Sequence, residues 1–150
     1  MPVEMQAVSA HEQFRAALED MIRAVLKASG RGVPGGSTEL TLSQYFVMDA
    51  MAGEAVTVTE VARAARVAVP TATRALRGLE TRGFVDRERK DDEDRRLVTV
   101  ALTPSGRAVL NEKRAWVRER QREIFDGLSE AEQETVSGAL SAIAHNIEEL

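Results

Sequence analysis

Arg74 and Arg77 stand three residues apart, with Thr71 and Thr73 just before them, in a stretch that reads as a helix. That spacing puts both guanidinium groups on one helix face. A guanidinium is a planar, permanently charged fork of donors. It grips a phosphate or, bidentately, the O6 and N7 of guanine. Thr71, Thr73 and Arg74 are the expected groove contacts, and Thr71 and Thr73 lie near the helix start, where free backbone N–H groups also attract phosphate. A second cationic pair, Arg95-Arg96, closes the charged run Lys90-Asp91-Asp92-Glu93-Asp94-Arg95-Arg96. Such groups recognise an anionic polymer rather than make or break bonds. No enzymatic constellation accompanies them. The chain has no cysteine, which removes disulfides, thiol catalysis and thiolate metal sites. His11 and His145 are far apart and lack carboxylates at ligand spacing, so no metal site is expected. Ser, His and Asp occur without a nucleophile-elbow context. Gly30-Arg31-Gly32-Val33-Pro34-Gly35 matches G-x-G-x-x-G but follows a helix and contains proline, so it reads as a loop, and no cofactor is expected.

A defined order of elements must hold these side chains. Thr57 with Glu60 three residues on forms a capping box that opens a helix with Val61, Ala62 and Ala65 as its small apolar face. Arg66, Val67 and Ala68 make a short turn. Pro70 suits the first turn of the next helix, which runs to about Thr81, faces Leu76 and Leu79 to the core and stops at Gly83. Period two follows. Val85, Arg87 and Arg89 alternate with Asp86 and Glu88, and Val98, Val100 and Leu102 alternate with Leu97, Thr99 and Ala101, which predicts two half-buried strands with residues 90–96 at the hairpin tip. Helix, turn, helix and hairpin in that order form a winged helix-turn-helix, a shape that places one helix in the DNA major groove.

The ends of the chain carry stripes. Phe14, Leu18, Met21 and Val25 line one face of a helix over residues 9–28. Four of the ten glycines and Pro34 then mark a loop to Glu39, and Thr41 with Gln44 caps a helix through Phe46, Met48 and Met51 to Gly53. Thr103-Pro104 begins a helix to about Phe125, and Ser129 with Glu132 caps a last one carrying Val136, Leu140, Ile143, Ile147 and Leu150 at heptad spacing. Terminal stripes predict a two-fold dimer packed through Phe14, Leu18, Met21, Val25, Val136, Leu140, Ile143 and Ile147. The predicted fold is mostly α with a small β-hairpin wing, residues 40–103 reading DNA and residues 9–28 and 104–150 forming the dimer.

Six blocks then occur in order: Leu40-Thr41-Leu42-Ser43-Gln44, Thr59-Glu60-Val61-Ala62, Thr73-Arg74, Leu79-Glu80-Thr81-Arg82-Gly83-Phe84-Val85, Asp91-Asp92-Glu93-Asp94-Arg95-Arg96 and Leu102-Thr103. In this register they resemble the MarR family of bacterial transcription regulators. The resemblance covers roughly residues 10–150 and is strongest from Leu40 to Gly106. It implies a dimeric repressor of a palindromic DNA site, with Ser43, Thr59, Thr71, Thr73, Arg74, Arg77, Arg95 and Arg96 on DNA. It implies that Asp94 pairs with an arginine to hold the wing against the recognition helix. It also implies release by a small phenolic or anionic effector near Phe14, Arg15, Tyr45, Met48 and Trp116. Four positions depart from the pattern. Arg66 replaces a turn glycine and Ala68 a capping serine. Glu93 replaces a basic residue, which either passes the minor-groove role to Arg95 or Arg96 or weakens the wing contact. Val69 replaces a polar residue; turn packing is its expected role, with a thymine-methyl contact as the alternative.

The net charge of −4 is unevenly spread: residues 59–96 carry 10 basic and 8 acidic groups, against 4 and 7 before them and 6 and 9 after. A locally basic head on an acidic body still binds phosphate, while the acidic remainder weakens non-specific binding. The same acidity supports a second reading, a winged-helix module that contacts proteins without specific DNA binding. No long apolar run or signal-like N-terminus exists, so no membrane contact and a cytoplasmic location are expected.

Overall fold

The computed structural model describes residues 8–29, 40–53, 56–92 and 95–150, and for 29, 90–92 and 95–97 it describes the backbone. The loop expected over 30–39, the residues Glu93 and Asp94, and the side chains of Arg95 and Arg96 lie outside this description. The described elements are α1 (Ala10–Ser29), α2 (Leu42–Ala50), β1 (Val56–Thr57), α3 (Val58–Ala65), α4 (Val69–Thr81), β2 (Val85–Asp92), β3 (Arg95–Leu102), α5 (Pro104–Asp126) and α6 (Glu130–Glu148). They fall into two compact units, Met1–Val109 and Leu110–Leu150, divided within α5.

The start of each of four helices is set by side chains within one turn. Thr41 with Gln44, Thr57 with Glu60 and Ser129 with Glu132 form complete capping boxes. Ser9 and Glu12 bond reciprocally in the same way at 3.1 Å, a cap that the apolar stripe of α1 does not signal. Each cap satisfies backbone donors that the helix leaves free.

The core of the first unit is aliphatic. Val47, Met48 and Met51 from the α2 region meet Val61 and Ala62 of α3, and Ala72, Ala75, Leu76 and Leu79 of α4, with Val85 and Val100 from the sheet, all buried. Removing a buried leucine side chain from such a core costs about 2–5 kcal/mol.

The sheet corrects two expectations. It has three antiparallel strands in the order β1-β3-β2, where two were predicted. Val56 pairs with Val100 and Thr57 with Thr99. A strand of two residues is too short to show alternation, and it exists because β3 offers it a free edge. The ladder also runs past the expected tip boundary to the pairs Asp91 with Arg96 and Asp92 with Arg95. Antiparallel pairing uses backbone groups, so a ladder continues through charged residues that no apolar pattern marks.

In the second unit, Gln133 donates from Nε2 to the carbonyls of Phe125 (3.0 Å) and Leu128 (3.3 Å), latching the turn between α5 and α6. The last helix ends at Glu148, two residues before the final leucine of the stripe.

Candidate nucleic-acid interface

The geometry of α4 follows from its sequence. Ala72, Ala75, Leu76 and Leu79 are buried on one side. At about 100° per residue the opposite side carries Pro70, Arg74, Arg77 and Thr81, and all four are exposed. Among the described residues no carboxylate pairs with Arg74 or Arg77. Thr71 and Thr73 sit half-buried on opposite flanks. The Thr73 hydroxyl donates to the Val69 carbonyl at 2.9 Å, so its proton is used within the helix.

The helix is held at a set angle by its two ends. At its entry, Arg66 adopts the left-handed conformation (φ 56°, ψ 44°) that usually falls to glycine. Val67 then donates to the Ala62 carbonyl at 3.0 Å and Arg66 to that of Arg63 at 3.2 Å, closing α3 as a Schellman motif without glycine. Ala68 supplies no side-chain cap, so the first N–H groups of α4 stay open to an anion. At its exit, Gly83 (φ 75°) sends its N–H to Glu80 and Phe84 sends its own to Leu79, each at 3.0 Å, a second Schellman motif. The Gly83 carbonyl accepts from the hydroxyls of Thr103 (2.7 Å) and Ser105 (3.1 Å), which fastens the end of α4 to the start of α5.

The wing is tied to this helix by a contact that sequence reading missed. Arg87 on β2 reaches Glu80 on α4, Nε to Oε2 at 3.3 Å. The tie expected from Asp94 falls on a residue outside the description. Helix and strand periodicities are separate, so neither signals that position 80 meets position 87.

The predicted site residues are placed as follows. Val69, Pro70, Thr73, Arg74 and Arg77 share one open depression on α4, from which Thr71 is absent. Val69 is 46% exposed, which corrects the expectation that it packs into the turn. As the first residue of α4 it lies outside the buried face that begins at Ala72. Ser43 is half-buried in the first turn of α2, and Thr59 is exposed in that of α3.

The expected effector residues are dispersed in character. Met48 is fully buried in the core, so a ligand reaches it only by opening that core. Arg15 is committed to Glu19 along its own helix at 3.0 Å. Tyr45 lies against Phe46, ring centroids 5.5 Å apart. Trp116 carries Lys113 over its ring at 4.2 Å and Arg120 at 6.0 Å. Partial burial there lowers the pKa of Lys113. Phe14 is exposed on α1.

Comparison with known proteins extends these observations. Residues 38–97 match the family model described as MarR family. A protein of Bacillus subtilis (strain 168), the uncharacterized HTH-type transcriptional regulator YwaE, is 30% identical over 88 residues, 59% of this chain and 51% of its own length. The chain thus spans about half the length of that curated relative. The structure of FabT from Streptococcus pneumoniae, solved in complex with DNA, superposes with a TM-score of 0.75 at 23% identity, over 93% of this chain and 98% of that one. BpsR from Bordetella bronchiseptica superposes with a TM-score of 0.67 at 24% identity, over 91% and 93%. Likeness at that identity establishes a shared winged-helix fold.

Proposed function

We propose that the chain is a dimeric, sequence-specific DNA-binding regulator of transcription in the cytoplasm, a repressor released by a small-molecule effector, and a member of the MarR family whose model residues 38–97 match. The observation that carries this reading is the outer face of α4. Two arginines without carboxylate partners among the described residues stand there, directly opposite a fully buried Ala/Leu face. A helix so presented enters a major groove. The uncapped α4 start, Thr59 at the start of α3 and Ser43 at that of α2 supply short donors for phosphates. Arg95 and Arg96 on the wing take the minor groove, whose potential draws arginine where it narrows, and Asp94 holds the wing in place.

A two-fold dimer presents two such helices about 34–36 Å apart and reads a palindromic site. FabT has been solved with DNA, and 6-hydroxynicotinic acid regulates DNA binding by BpsR. A small aromatic anion of that general kind suits the half-buried ring of Tyr45. Release follows by population shift, the effector favouring a dimer whose helix spacing mismatches the groove.

Fluorescence anisotropy across a salt series tests the proposal. The chain is expected to bind a palindromic duplex from its own upstream region with steep salt dependence, and Arg74→Ala to weaken it by about 1–3 kcal/mol. A protein-only adaptor shows neither effect, and that result sinks the reading.

A further inference from the structure

Val69 and Pro70 present carbon at the tip of a helix whose outer face is otherwise cationic. One ridge of side chains, four apart, runs Val69, Thr73, Arg77; a second runs Pro70, Arg74. Between the two lies the open depression that these five residues line. Its donors are concentrated at one end. Pro70 has no N–H, and the Thr73 hydroxyl donates to the Val69 carbonyl, so it has no proton free for a base. The side chains of the tip therefore offer no donor to the acceptor groups of a base edge, while the backbone N–H groups of the uncapped start remain for phosphate, and what the tip's side chains chiefly present to the bases is carbon. Of the groups that a major groove displays, the one apolar group is the 5-methyl of thymine. The arginines at the other end supply the charge complementarity that brings a duplex to this surface.

We propose that this depression receives a thymine 5-methyl group and that Val69 is a specificity-determining residue of the chain. The proposal rests on the DNA-binding reading above and adds to it the base that α4 selects. Arg74 and Arg77 then grip a neighbouring guanine or phosphate and set the register in which the methyl meets Val69.

Thymine-to-uracil substitution removes that methyl and leaves base pairing intact. Duplexes enriched by the chain from a randomised pool at low salt are remade with deoxyuridine at each thymine in turn, and binding is read by anisotropy. At one symmetry-related position per half-site, uracil is expected to weaken binding roughly fourfold, the worth of one buried methyl-sized group. Val69→Ala, a change at an exposed position whose folding is checked by circular dichroism, is expected to shrink the uracil penalty, because two methyl groups of the contact are lost. An enriched duplex that tolerates uracil at every position overturns the proposal alone, as does a Val69→Ala chain that keeps the full uracil penalty. Failure to enrich any duplex overturns it together with the DNA-binding reading.

Discussion

Gly83 and Gly106 are both glycine for opposite reasons. Gly83 needs its positive φ of 75°, and nothing would obstruct a Cβ there. Gly83→Ala is therefore a conformational cost alone, about 1 kcal/mol. At Gly106 the backbone is ordinary, but a Cβ would drive into the Phe84 carbonyl, which cannot retreat because it accepts from the Thr103 N–H at 3.0 Å. Gly106→Ala should cost more, roughly 3 kcal/mol, since backbone must move. Urea melts of the two variants separate these cases; equal losses would mean that the approach of α5 to Phe84 is softer than its geometry says. Arg66 marks the contrast. It holds a left-handed position without the freedom of glycine, so local contacts rather than backbone preference keep that turn closed.

Caps decide where the helices begin, and one of them is legible by titration. At the start of α6 the Ser129 N–H donates to the Glu132 carboxylate at 2.8 Å. That bond first, then the Ser129 hydroxyl, holds the Glu132 pKa below the usual carboxylate range. A pKa lowered by folding means that the cap contributes fully above the ordinary carboxylate range and loses its contribution as pH falls through the lowered value. In an NMR titration, Ser129→Ala, which keeps the backbone donor and removes the hydroxyl, should move the Glu132 midpoint part of the way upward; an unmoved midpoint would show that the hydroxyl contributes nothing in solution. Helix α4 is the exception, since Ala68 leaves its first N–H groups without a side-chain acceptor. A missing cap costs about 1 kcal/mol and leaves those donors for a phosphate. The Glu80–Arg87 pair joins helix to wing, but with both groups partly exposed it positions more than it stabilises.

Across the whole molecule, apolar surface is left over. Phe14, Met21, Ile22, Val25 and Leu26 of α1 are exposed, as are Leu140 and Ile147 of α6. Exposed stripes of that length on both terminal helices are costly in water and fit the proposed dimer. Ile147 is 54% exposed, so Ile147→Glu should cost the single chain little and still dissociate the dimer. Light scattering coupled to size exclusion reads the outcome, with a folded monomer expected. A variant that stays dimeric would remove α6 from the interface. The charge distribution acts at the same scale, since residues 59–96 are net basic between two net acidic segments, and for the proposed regulator that acidic remainder would weaken non-specific DNA binding.

Helix starts and stops were legible in the sequence because their causes are local. Thr41, Thr57 and Ser129 each bond within three residues, and Gly83 ends α4 through carbonyls of the preceding turn. The faces of α4 were legible for the same reason, a fixed angle per residue. What depends on distant partners was not. Strand β1 exists only because β3, more than forty residues later, offers it an edge. The ladder to Asp92 and Arg95 rests on backbone pairing that no side-chain pattern records. The exposure of Val69, the burial of Met48 and the meeting of Glu80 with Arg87 were decided only when α2, α4 and the wing came together, because a side chain's surroundings belong to the packed elements and not to its neighbours in the chain.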